Sequence, residues 1–227
     1  MVSTAAPALA EGVSTPLTGI RRTAARRMVQ AWQAPVFHLT VEADMTEVGR
    51  VKAVSPGATV TDVLVRAAAR ALMAVPEVNA HVGEHEVTVF PNAHVGIAVA
   101  GPKGLTVPVI HDAEALDLAS LAERRADVVG RAREGALTRQ DITGGTFSIS
   151  NLGMMGIARF DAILNVPQAA ILAVGATTQR HVMGPDGPLW RPIADLTLTC
   201  DHRALDGATG AQFLNALVGE LAAPLGS

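Results

Sequence analysis

A single cysteine, Cys200, serves all 227 residues, so no disulfide can form within the chain and a reducing, cytoplasmic setting is expected. No apolar run approaches the roughly 18 residues of a membrane span, and the amino terminus lacks the basic-then-apolar order of a secretory signal. Charge is also scarce. Charged residues make up 17% and the net charge is -3, which leaves no electrostatic case for nucleic acid or an anionic membrane as partner. What is plentiful is apolar side chain, 49% of the total, enough for a large core and for extensive buried interfaces. The length favours one mixed α/β domain over two small ones.

Residues 1–17 are rich in Ala, Pro, Ser and Thr without apolar periodicity and read as a flexible linker or arm, leaving 18–227 as the folded domain. A first helix is expected from near Thr18, with Ile20, Ala24, Met28 and Trp32 on its apolar face and Arg21, Arg22, Arg26 and Arg27 on the other. Val36 to Ala43 alternates as a strand. Thr59 or Thr61 caps a helix that Pro76 stops. Strands are expected at Glu86–Phe90, His94–Ala100 and Leu105–Ile110, the last two joined by the turn Gly101-Pro102-Lys103-Gly104. A charged helix follows from Leu116 to about Glu134. Strands at Thr146–Ser150, Ala169–Val174 and Leu196–Asp201 and a closing helix at Thr209–Leu221 complete an α+β sheet with helices on one side.

Chemistry concentrates in two places. Leu196-Thr197-Leu198-Thr199-Cys200 alternates up to Asp201, and His202 then stands where the strand ends, with Asp206 and Gly207 following. An imidazole in that position is rigidly aimed, can face a cleft and titrates near neutrality, which suits a general base with Asp206 organising the loop behind it. The residues alone also allow, and by spacing favour, a satisfied strand-end histidine and a plain helix cap at Asp206. No third ligand at metal-binding spacing lies nearby. Cys200 is two residues from His202, but such positions are about 6–7 Å apart along a strand, poor geometry for a nucleophilic dyad; a buried small apolar cysteine is the better reading. The second place is Gly144-Gly145-Thr146-Phe147-Ser148-Ile149-Ser150-Asn151-Leu152-Gly153-Met154-Met155-Gly156. There Thr146, Ser148 and Ser150 share a strand face between glycine-containing loops. Hydroxyls so placed can donate to a developing oxyanion, or simply form a polar strand face. An arginine of the first helix paired with Asp206 is a further possibility that spacing leaves open.

Taken together these motifs resemble the catalytic domain of dihydrolipoamide acyltransferases, the cores of 2-oxo acid dehydrogenase complexes. Asp201-His202-Arg203-Ala204-Leu205-Asp206-Gly207 is similar to that family's Asp-His-Arg-x-x-Asp-Gly signature, and Gly145 to Gly153 is similar to its second signature. Ala43-Asp44-Met45-Thr46, Val75-Pro76-Glu77-Val78-Asn79-Ala80, Gly104 to Ile110 and Pro167 to Leu172 add to the likeness, which runs in order over about residues 18 to 223.

The resemblance implies a chloramphenicol-acetyltransferase-like α+β fold working as a homotrimer, with coenzyme A and dihydrolipoamide entering an intersubunit channel from opposite ends. By motif, His202 is the base that deprotonates the attacking thiol, Ser150 of a neighbouring copy hydrogen-bonds the oxyanion, and Asp206 holds the loop. Asn151 and Gly175, and with them Lys52 and Thr59, match positions lining the coenzyme A side. A thiol near pKa 8.5 and an imidazole near 6.5 differ by only about two units, so assisted proton transfer is feasible. Implied partners are a lipoyl domain, the dehydrogenase subunits and, beyond the trimer, a cubic or dodecahedral cage to which an apolar tail such as that around Leu225 contributes. Lys52 and Lys103 are the only lysines and both fall inside the catalytic domain, so the lipoyl group is expected from another domain or chain. Met154-Met155-Gly156-Ile157 and Thr199-Cys200-Asp201-His202 look more like acetyl-transferring, pyruvate dehydrogenase members than succinyl ones. A branched-chain acyl group stays open, since one methylene is worth only about 1–3 kcal/mol in an apolar pocket. The competing readings are a related acyltransferase with another acceptor and an inactive structural scaffold, which has no use for an intact His202, Ser150 and Asp206.

Overall fold

The computed structural model describes residues 12–17, 19–102 and 104–226, without the side chain of Ile20. In chain order the helices are α1 (Gly19–Trp32), α2 (Val51–Val54), α3 (Val60–Ala74), α4 (Leu118–Glu134) and α5 (Gly207–Ala222). The strands are β1 (Val36–Asp44), β2 (Ala80–Val82), β3 (Val87–Val89), β4 (Val95–Ile97), β5 (Val99–Gly101), β6 (Gly104–Thr106), β7 (Val109–Ile110), β8 (Phe147–Asn151), β9 (Ala170–Val174), β10 (Thr178–Gly184) and β11 (Gly187–Asp201). Of the expected amino-terminal arm, residues 1–11 lie outside the described residues; 12–17 carry no regular structure.

One mixed sheet organises the rest, in the order β1-β11-β9-β8-β4-β7 with β10 paired to the outer part of β11. β8 runs parallel to both β4 and β9, and the remaining pairs are antiparallel. Alternation sends Phe37, Leu39 and Val41 of β1 and Leu196, Leu198 and Cys200 of β11 into the main core, where they meet Phe213, Leu214 and Leu217 of α5. α3 packs beside α5 under the sheet. It starts at a reciprocal cap: Thr59 N–H and Oγ1 donate to Asp62, and the buried Asp62 carboxylate also accepts from Arg125 Nε of α4 at 2.7 Å. α3, α4 and α5 thus lie on one side of the sheet, whereas the end of α1 meets the other. The opposite face is covered without a helix bundle: Ala162 and Leu164, with Ala31 and Ala34, lie over Ile171 and Ala173 of β9.

Several expectations need correction. The apolar face foreseen for α1 is not its buried face: Trp32 is 80% exposed and Met28 is also exposed, whereas Ala31 and the following Ala34 are buried. Ridge spacing alone does not say which stripe meets a neighbour. Each of the two strands expected at 94–100 and 105–110 is bent into two: β4 and β7 stay in the main sheet while β5 and β6 form a separate hairpin around Gly101 and Gly104. Lys103 of that turn lies outside the described residues. β11 begins nine residues earlier than the expected Leu196 and forms an unforeseen hairpin with β10. Leu225, whose part in joining trimers the sequence left open, is buried in the chain's own core, and its carbonyl accepts from Arg66 Nη1 of α3 at 3.0 Å.

His94, at the start of β4, offers a check on the sheet's far edge. Its Nδ1 accepts from the Asp112 amide at 3.0 Å, where Asp112 holds a left-handed backbone with φ 50°. Burial, the largest cause, holds the His94 imidazole below its ordinary pKa, with His111 adding to the effect and Asp112 and Glu114 opposing it. A folded pKa below the unfolded value means the unfolded chain binds the proton first. Stability is therefore expected to be complete above about pH 6.5 and to decline as pH falls from there toward the folded pKa. Urea midpoints between pH 8 and 5.5 test this. His94→Asn, which keeps an acceptor and cannot protonate, should flatten the profile; an unchanged slope in that variant would assign the loss elsewhere.

Candidate active site

His202 stands immediately beyond β11, on the turn into α5. Strand pairing puts it there: Val36 lies opposite Asp201, and the His202 amide donates to Pro35 O at 2.8 Å. Its ring is exposed, makes no hydrogen bond within the described residues, and packs against Phe37 with centroids 4.7 Å apart at 54°. Asp206 caps α5, its carboxylate accepting from the Thr209 amide at 2.8 Å. That backbone hydrogen bond is the main reason its carboxyl lies below the usual range, and attraction to His202 adds to it. No arginine of α1 is paired with Asp206 among the described residues.

Ser150 occupies the other end of the sheet. It faces Ala173 of β9, and Ala173 faces Thr197 of β11. His202 lies five positions beyond Thr197, which at about 3.3 Å per residue places it about 15 Å farther along the sheet and two strands across. The two groups cannot touch one reacting atom within a single chain. The Ser150 hydroxyl is half-buried and makes no hydrogen bond within the described residues. Its strand-face neighbours are already committed: Ser148 Oγ bonds Gln168 Oε1 at 2.6 Å and Asn165 Nδ2 at 3.1 Å, and Thr146 Oγ1 bonds the His94 amide at 3.0 Å. Of the three hydroxyls the sequence offered, only that of Ser150 is free to serve a ligand.

Asn151 and Gly175 lie beside Ser150. Asn151 Oδ1 accepts from the Gly153 amide at 2.9 Å. Gly175 is enclosed: a Cβ there would collide with the Ala158 carbonyl, so its glycine lets the loop from Leu152 to Ala158 press against β9. Met154 and Met155 on that loop are exposed. Lys52 is exposed on α2, and Thr59 is spent on the α3 cap. The structure thus brings Ser150, Asn151 and Gly175 together, and His202 with Asp206 separately.

Two features escaped the sequence. Between α1 and β1 a cavity of about 360 Å³ is lined by Trp32, Val36, His38, Ile163, Leu164 and Thr199, with His38 Nδ1 3.0 Å from Thr199 Oγ1. It opens on the face of β1 opposite Phe37; the alternation of Val36-Phe37-His38 carried that signal, but not what lies across from it. The second is an ion cluster around the buried Asp195, which accepts from Arg180 at 2.8 Å and Arg159 at 3.1 Å and is held below the usual carboxylate range chiefly by Arg180. No group of three metal-ligating side chains occurs among the described residues. No described helix is long and apolar enough to cross a membrane.

A mixed sheet ending in this Asp-His-Arg-x-x-Asp-Gly turn defines an acyltransferase class, and residues 10–226 match the 2-oxoacid dehydrogenases acyltransferase (catalytic domain) family. The chain belongs to that family. It is 35% identical over 211 residues to the dihydrolipoyllysine-residue acetyltransferase component of the pyruvate dehydrogenase complex of Rickettsia bellii, covering 88% of this chain and 50% of that protein. The chain therefore spans about half the length of the curated relatives it matches. Among solved structures it superposes on a probable dihydrolipoamide acetyltransferase from Listeria monocytogenes with TM-score 0.88 and 30% identity, over 92% of this chain and 94% of that one. The Azotobacter vinelandii dihydrolipoamide acetyltransferase gives TM-score 0.88 and 31% identity over 93% and 92%; that work concerns a serine, a histidine and an asparagine in the catalytic mechanism. A chloramphenicol acetyltransferase at 13% identity and TM-score 0.56 shares the fold.

Cys200 is excluded as a nucleophile. It is fully buried against α5, and burial pushes its thiol up to about 12. In the native protein it should resist a thiol-specific chromogenic reagent, with labelling appearing only along the urea unfolding curve. Rapid stoichiometric labelling without denaturant would contradict this burial.

Proposed function

We propose that this domain catalyses acyl transfer, acetyl in the first instance, between dihydrolipoamide and coenzyme A, using a site made from two copies of the chain. The observation that carries the reading is the pair of unengaged groups at opposite ends of one sheet. Among the described residues His202 offers an imidazole with no hydrogen-bond partner and Ser150 a hydroxyl with none, about 15 Å apart along the sheet and two strands across, which is useless within one copy and useful between two. The serine, histidine and third residue studied in the Azotobacter vinelandii enzyme have the same spacing as Ser150, His202 and Asp206, with asparagine where this chain has aspartate. That supports the assignment of all three.

In the proposed reaction His202 takes the proton from the coenzyme A thiol as its sulfur attacks the thioester carbon of S-acetyldihydrolipoamide. The carbonyl oxygen becomes an oxyanion that accepts a hydrogen bond from Ser150 of the neighbouring copy. Collapse of the adduct breaks the bond to the lipoyl sulfur, which recovers the proton from the imidazolium. Asp206 steadies the turn through its cap on α5 and exchanges no proton. Asn151 and Gly175, beside Ser150, border the coenzyme A side, with Lys52 within the same reading; Thr59 contributes through the α3 cap. Coenzyme A is a substrate here, and the lipoyl group comes from another domain or chain.

The assembly in this reading is a homotrimer serving a lipoyl domain and the dehydrogenase subunits of a pyruvate dehydrogenase-type complex in the cytoplasm. The lone, buried cysteine fits that compartment.

His202→Ala and Ser150→Ala are each expected to lower acetyl transfer from acetyl-CoA to dihydrolipoamide, the serine variant by about a hundredfold or more. Co-expressing the two should restore part of the rate, because some interfaces then pair an intact His202 with an intact Ser150. A mixture no better than its two components would overturn the shared site, and a folded parent inactive with acetyl-, isobutyryl- and succinyl-CoA would overturn the reaction.

A further inference from the structure

The turn that presents His202 is secured at five successive backbone amides. Asp201 N–H donates to Ala169 O and His202 N–H to Pro35 O, each at 2.8 Å. Arg203 N–H donates to Asp201 Oδ1 at 3.0 Å, and the amides of Ala204 and Leu205 donate to the Asp201 carbonyl at 3.1 and 3.0 Å. Three of the five thus converge on Asp201. The Asp201 side chain is only 2% exposed, whereas that of Arg203 is 46% exposed. A carboxylate so deep needs a cation, and Arg203 folds back to supply it. Its Nε lies 3.0 and 3.2 Å from the two oxygens while Nη2 reaches Oδ2. This fork encloses His202 between its two members in sequence. Among the described residues the imidazole has no hydrogen bond of its own to aim it, and the Phe37 ring lies beside it. Its direction is therefore set by the backbone of the turn, and the amide directly after it, that of Arg203, is held by the very carboxylate that Arg203 clamps.

From this geometry we propose that Arg203 is a positioning residue for acyl transfer: by clamping Asp201 it fixes the turn from which His202 reaches the thiol. The inference rests on His202 acting as the base. The Arg203 guanidinium is engaged by Asp201 and is not assigned a contact with either substrate, so its loss should act on the chemical step and leave substrate affinity alone. Lysine should not replace it, because an ammonium cannot make the two parallel contacts of the guanidinium.

The test measures kcat and KM for acetyl-CoA and dihydrolipoamide in the parent, Arg203→Ala, Arg203→Lys and the double variant Asp201→Asn/Arg203→Ala. The double variant leaves no buried carboxylate unpaired, so it keeps the fold if Arg203→Ala loses it. Both arginine variants and the double variant should lose kcat by about tenfold to a hundredfold, the scale of a misplacement near 1 Å, with KM essentially unchanged. Added guanidinium ion, at concentrations far below denaturing ones, should recover part of the Arg203→Ala rate, since the vacated position opens to solvent. A folded double variant with the parent kcat would overturn the proposal and reduce Arg203 to a counter-ion. A rate loss expressed as raised KM would overturn it too, by placing Arg203 in substrate binding. Inactivity of the parent would instead defeat the acyltransfer reading on which it stands.

Discussion

The nine-residue antiparallel pairing of β1 with β11 is the constraint on which the other features depend. It fixes Val36 against Asp201 and Asp44 against Ile193. Because strand faces alternate strictly, that single register decides that Phe37 falls beside His202 while His38 falls beside Thr199 on the other face. A slip of one residue would carry Phe37, Leu39 and Val41 out of the core they share with α5 and would take the brace away from the imidazole. The same strand, β11, pairs on its other side with β9, which pairs with β8. The position of Ser150 relative to His202 is thus counted out in strand registers, with no flexible loop between them. Rigid separation is a functional statement here: a soft connection would let the two groups approach in one chain, and this sheet does not.

That rigidity also explains the division of labour around His202. Among the described residues the ring itself has no hydrogen-bond partner, which suits the proposed role of accepting and returning a proton. Everything beneath it is committed, from the Pro35 carbonyl to the Asp201 carboxylate and the cap at Asp206. Ser150 shows the same contrast on a smaller scale. Ser148, two positions earlier on the same face, is saturated by Gln168 and Asn165, and that buried network anchors the segment leading to β9. One hydroxyl is structural and its neighbour is free, although the sequence presents them as equivalent.

Much of this was legible in the chain of residues alone, and the limits have physical causes. The strands at 36–44 and 196–201 declare themselves because one face is buried and the other polar, which writes period two into the sequence. The outer half of β11 hides because prolines such as Pro188 and Pro192 weaken a strand pattern; they are tolerated since that stretch pairs with β10 on one side, and across its other edge Pro192 supplies a carbonyl, accepting from the Met45 amide at 2.8 Å, where no proline N–H is needed. The faces of α1 misled because its spacing shows a stripe of Ile20, Ala24, Met28 and Trp32 but not what lies across from it; among the described residues it is Ala31 and the adjoining Ala34 that are buried. Thr59 carried two readings, a cap and a ligand position, and the reciprocal bonds to Asp62 place its side chain in the first. His202 and Asp206 could be located from the turn that follows a strand. The clamp between Asp201 and Arg203 could not, because two residues that neighbour a histidine reveal nothing of which one turns inward.

The most direct measurement of the central claim is an experimental structure of the assembled protein with coenzyme A bound. The account predicts the thiol within hydrogen-bonding reach of His202 from one copy, with Ser150 of a second copy across the site and within contact of a thioester carbonyl placed there. A thiol held by His202 and Ser150 of the same chain, or bound far from His202 altogether, would contradict it.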